Sequence, residues 1–77
     1  MLKPQEVLDR YYLETRCMLL ETAAVLDRYD AAVEREGAPA EDELKLDVLH
    51  KALQVLAEPK NNERAEELLN VFTEVPT

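Results

Sequence analysis

From Gln5 to Glu36 the chain contains no proline, glycine or serine, and its apolar residues recur at helical spacing throughout. Nothing in that run stops a helix, so the fold has to be arranged around one of roughly 32 residues, about 48 Å long. Its most apolar part runs from Tyr11 to Val33. Leu8, Tyr12, Thr15, Leu19, Thr22, Leu26, Tyr29 and Val33 alternate steps of four and three, and Tyr11, Met18, Val25 and Ala32 flank them. Such a stripe is broader than a two-stranded coiled-coil seam and predicts a bundle helix that touches two neighbours. Arg10, Glu14, Cys17, Glu21, Arg28 and Arg35 recur at matching intervals and read as the opposite, wet face.

The punctuation of the chain divides the remainder. Pro4 suits a first helical position, and Glu6 and Asp9 lie near the positive end of the helix dipole. Gly37, the one glycine, stands where a left-handed cap belongs, and Pro39 cannot continue the same ladder. A second helix is expected from about Ala40 to Ala57, with Glu41, Asp42 and Glu43 in its first turn. Its stripe is Leu46, Leu49, Leu53 and Leu56, with Val48, Ala52 and Val55 beside it, and Glu58-Pro59 ends it. A third helix is expected from about Asn62 to Glu74, capped by Asn61 or Asn62 and burying Ala65, Leu68, Leu69, Phe72 and Val75. Pro76-Thr77 reads as a tail.

The expected architecture is therefore all-α, a single domain over residues 1–77 of three helices, long–short–short (about 4–36, 40–57 and 62–74). The second and third would form a hairpin against the first. At about 27 Å and 20 Å they are too short to cover it. The surplus apolar surface points to homodimerisation through the long helix. Size argues the same way, because a 77-residue chain gains only a few kcal/mol from its own core and usually needs a staple. One cysteine and one histidine provide neither a disulfide nor a closed zinc site.

Composition narrows the functions to consider. Nine basic against 17 acidic residues give a net charge of −8, with no basic cluster to meet phosphates, so no nucleic-acid partner is expected. No apolar run reaches the ~18 residues of a membrane span, and no leader sequence is evident, so a cytoplasmic protein without a membrane partner is expected. Serine is absent, which removes serine nucleophiles, and one glycine cannot build a phosphate loop. Cys17 lies one turn from Glu14 and from Glu21, an unfavourable setting for a reactive thiolate. No catalytic residue, metal ligand or cofactor is assigned.

The leading expectation is thus a non-catalytic interaction or adaptor protein, or a complex subunit, that forms a homodimer and possesses surface for another protein. Tyr11, Tyr12 and Tyr29 suit an interface, where an apolar ring keeps a wet hydroxyl. Arg16, Glu21, Asp27 and Arg28 have no opposite charge three or four residues away. Antiparallel self-pairing centred near Glu21–Thr22 would set Arg16 against Asp27, Met18 against Val25 and Leu19 against Ala24, with Leu26 on the same stripe. A different reading takes Asp47 and His50, three apart, with Glu14 and Glu21 as a carboxylate–imidazole metal set. A weaker one is an acidic mimic of a nucleic-acid surface.

Overall fold

A computed structural model of the chain describes residues 1–60 and 63–75. Among the described residues there are three helices and no strand: α1 (Pro4–Glu36), α2 (Leu44–Ala57) and α3 (Arg64–Phe72). The chain divides into two compact units, Met1–Ala38 and Pro39–Thr77.

The first unit is α1, a continuous helix of 33 residues and about 50 Å. At its start Lys3 N–H donates to Glu6 Oε1 at 3.3 Å. This is half of a capping box, because the lysine side chain has no acceptor to return. Inside the first turns Gln5 Nε2 donates to Asp9 Oδ1 at 2.9 Å. At its end Gly37 takes φ 74° and its N–H reaches Val33 O at 2.8 Å, which closes the helix with a left-handed cap. A Cβ added at Gly37 would meet nothing within 4 Å, so the demand for glycine there is one of backbone angle alone. None of the residues of α1 is buried.

In the second unit α2 and α3 pack on each other. Their lengths, 14 and 9 residues, fall short of the expected ones. α2 begins at Leu44, four residues after the expected Ala40, because Asp42 Oδ1 takes the Leu44 N–H at 2.9 Å. That side-chain turn competes with the helix and leaves Glu41, Asp42 and Glu43 ahead of it. α3 stops at Phe72, and Thr73, Glu74 and Val75 continue with tighter i→i−3 bonds of 3.2–3.3 Å. The caps expected from Asn61 and Asn62, and the Pro76-Thr77 tail, lie outside the described residues.

The core of this unit is small. Val48 and Ala52 are the buried apolar residues among those described. The leucine stripe of α2 is therefore not its packing centre: Leu49 and Leu56 are exposed, while Leu46 and Leu53 are half-buried. Val48, Ala52 and Val55 sit closest together around the axis, and their small side chains allow close approach of a partner helix. α3 presents Leu68 and Val71, and the turn after it Val75, all half-buried. Ala65, Leu69 and Phe72, expected inside, are exposed, Leu69 at 70%. They lie roughly a quarter-turn round the helix from the half-buried residues.

Polar links join the two helices of this unit. Lys51 Nζ spans both carboxylate oxygens of Glu74 at 3.0 and 3.1 Å, joining α2 to the turn after α3. Arg64 Nε donates to Leu56 O at 2.9 Å, satisfying a carbonyl near the end of α2.

Candidate interaction surface

The candidate surface is a face of α1, and it follows from the helix being unbroken. At 100° per residue most of its large apolar side chains fall on an arc about 140° wide, with Leu13 and Leu20 outside it. Val7 and Val25 form one edge of that arc, Leu19 and Tyr12 the other. Between them lie Met18, Tyr11 and Tyr29, Thr22, Thr15 and Val33, and then Leu8 and Leu26. The large side chains along the arc are open to solvent: Val7, Leu8, Tyr11, Tyr12, Met18, Leu19 and Val25 are 41–66% exposed. Leu26, Tyr29, Ala32 and Val33, towards the C-terminal end, are half-buried.

Of the residues expected at an interface, Tyr11, Tyr12, Met18, Leu19, Val25, Leu26 and Tyr29 share this arc. Arg16 and Asp27 do not. They lie beyond Tyr12, on the side that also carries Leu20. Arg16 still borders the arc, since Tyr12, Thr15, Arg16, Leu19 and Leu20 line a shallow depression of about 290 Å³. Val7 extends the arc by a residue that the four–three spacing passes over.

The charges read as an opposite face also move. Glu14 and Glu21 lie within about 40° of Val25, so they border the arc instead of opposing it, with Arg28 and Arg35 next in line. Glu21 and Val25 are i, i+4 neighbours. Glu14, Glu21 and Arg28 make no ion pair among the described residues. Arg35 reaches only its neighbour Glu36, at 3.4 Å and with both side chains about 70% exposed. Such a pair contributes little.

Thr22 stands in the middle of the arc, yet its hydroxyl is satisfied. Thr22 Oγ1 donates to Met18 O at 3.0 Å, within the helix. The arc therefore presents the threonine methyl without a donor in need of water.

The described residues of the second unit line concave regions as well. A cleft of about 760 Å³ between α2 and α3 is lined by Lys51, Gln54, Val55, Ala57, Glu58, Lys60, Glu67 and Val71. Glu67 Oε1 accepts the Lys60 N–H at 3.3 Å, while Glu67 Oε2 is buried with no partner among the described residues. A smaller apolar hollow of about 320 Å³ lies among Lys45, Val48, Leu49, Phe72 and Val75. On the outside of α3, a hydrogen bond that the protonated Glu66 carboxyl donates to the Glu63 carboxylate raises Glu66 above its ordinary value, with a lesser push from desolvation.

Glu14 and Glu21 stand on α1, Asp47 and His50 on α2, all four exposed. Among the described residues no group of three or more His, Cys, Asp or Glu is placed to hold a metal ion. On α1 the carboxylates occupy several sides of the helix and alternate with arginines, so they form no single acidic face. Among the described residues no helix is long and apolar enough to cross a membrane. Comparison with known protein families, curated proteins and solved structures finds no match to this chain.

Proposed function

We propose that this chain is a non-catalytic interaction protein that self-associates through α1, serving as an adaptor or as a subunit of a larger assembly. The observation that carries this reading is the exposed arc. α1 has 33 residues and no buried one, although its side chains from Val7 to Val33 include an apolar stripe some 40 Å long. Single exposed leucines are ordinary on a protein surface, whereas a continuous apolar stripe marks a surface that meets another protein.

Folding energetics supports the same reading. Propensity alone leaves an isolated helix marginal in water, and most helical stability comes from packing of an amphipathic face. Ordering each residue costs about 1–2 kcal/mol in backbone entropy, against about 1.5–3 kcal/mol for each large apolar side chain buried. Two buried apolar residues do not balance that cost. Burial of the α1 arc between two copies adds apolar area where the chain has most to offer.

Light scattering on the eluting protein tests the proposal. The expected mass is twice the 8.8 kDa of one chain, and replacing Met18 and Leu19 together by Glu should return it to that of a single chain. A wild-type protein that elutes with the mass of one chain at every loading would refute self-association.

A further inference from the structure

We propose that α1 pairs with α1 of a second copy as an antiparallel coiled coil, in a register that sets Thr22 of one chain against Val25 of the other. Glu14 then faces Arg35, and Glu21 faces Arg28, across one edge. This rests on the self-association reading and specifies its geometry.

The argument starts from the two edges of the arc. Along one, Glu14, Glu21, Arg28 and Arg35 follow at seven-residue intervals, two acidic residues and then two basic. Seven residues are about 10.5 Å of rise, too far for Glu21 and Arg28 of one helix to pair with each other. From the other edge, Tyr12 and Leu19 are followed at the same seven-residue interval by Leu26 and Val33, all apolar. In heptad terms these are the g and e positions, which set partner and orientation in coiled coils.

In a parallel pair, the charged edge of each helix meets the apolar edge of its partner. Glu14 and Glu21 would then lie against leucine and find no cation. In an antiparallel pair, each edge meets its own reverse. The charged edge then forms four opposite-charge pairs per dimer, Glu14–Arg35 and Glu21–Arg28 each occurring twice. The apolar edge sets Leu19 against Leu26 and Tyr12 against Val33, which accounts for a stripe wider than an ordinary two-helix seam.

Charge also selects the register. A shift of one heptad in one direction brings Glu21 against Glu21 at the two-fold axis, and in the other Arg28 against Arg28. Like charges at the closest approach oppose both alternatives. In the favoured register the seam layers are Thr15–Ala32, Thr22–Val25 and Met18–Tyr29, and the helices overlap over about 26 residues, or ~39 Å. The bond from Thr22 Oγ1 to Met18 O lets the central layer close without an orphaned hydroxyl.

Two measurements on the full chain test this. In sedimentation equilibrium, Glu21→Arg should raise the dimer dissociation constant about tenfold, through two pairs that turn repulsive. Glu21→Arg combined with Arg28→Glu exchanges the charges and should restore it to within a few-fold. Spin labels attached at Asp9→Cys in a Cys17→Ala background should lie about 40 Å apart in the dimer, against roughly 20 Å or less for a parallel pair. A wild-type monomer at all concentrations overturns self-association and this geometry together. A dimer indifferent to Glu21→Arg overturns the register alone and leaves self-association standing, and one weakened instead by Asp27→Arg assigns the Arg16–Asp27 register. A short label distance overturns the antiparallel orientation.

Discussion

Truncating Leu19 to alanine separates a helix that is merely exposed from one whose exposed face is used. Leu19 is 54% exposed on α1, so in a lone chain its truncation removes almost no packing. Alanine is the better helix former by a few tenths of a kcal/mol, so α1 of a lone chain should be as helical as before or slightly more. In the antiparallel pair each Leu19 lies against Leu26 of the other copy, and each dimer contains two such contacts. Truncating a fully buried leucine costs about 2–5 kcal/mol. At the edge of a seam, where part of the side chain stays wet, about half the lower figure applies, or ~1 kcal/mol per copy. The dimer should lose about 2 kcal/mol, near 30-fold in dissociation constant. Sedimentation equilibrium gives that constant, and far-UV circular dichroism at matched concentration reports helicity. An unchanged dissociation constant would refute the reasoning, because it would mean that a residue at the edge of the arc meets no partner.

Three further outcomes follow from local geometry. Gly37→Ala keeps its space but not its backbone angle, so thermal unfolding should show a loss of about 1–2 kcal/mol, with fraying at the end of α1. Val48→Ala removes two buried carbons from a site on α2 that is 3% exposed, and should cost about 1.5–2 kcal/mol in urea unfolding. The Glu66 carboxyl should titrate above an ordinary glutamate by carbon-detected NMR, and Glu63→Gln should bring it down, since the Glu63 side chain is the larger cause. Its sign is that of a group raised on folding: the contribution to stability is present below the unfolded glutamate pKa and is lost as pH rises through the folded one.

Much of α1 is legible in the sequence, because both of its ends are local chemistry. Pro4 needs no N–H partner at a first helical position, and Gly37 alone can take φ 74° without strain. The beginning of α2 is not legible in the same way. Glu41, Asp42 and Glu43 satisfy the dipole preference of a first turn, but Asp42 also bonds the backbone two residues on, and that bond holds the helix back to Leu44.

The packing faces were harder still. The apolar residues of α2 cover more than half its circumference, so periodicity alone cannot say that Val48 and Ala52, rather than Leu49 and Leu56, meet α3. The same holds for α3, where Leu68 and Val71 are half-buried while Leu69 is the most open of its large apolar residues. On α1, spacing suffices to collect Tyr11, Met18, Val25 and Tyr29 on one arc. The rule that flagged Arg16 and Asp27, the lack of an oppositely charged neighbour, ignores angle round the helix. By angle, Glu21 and Arg28 stand about 40° and 60° outside one edge of the arc, as Arg16 and Asp27 do outside the other.

The central claim is that the α1 arc is covered by a second copy of the chain, and sedimentation equilibrium from low micromolar to submillimolar concentration tests it most directly. A mass that climbs with concentration from 8.8 kDa to twice that value, and stops there, is the predicted result. A mass that stays at 8.8 kDa across the whole range would contradict it.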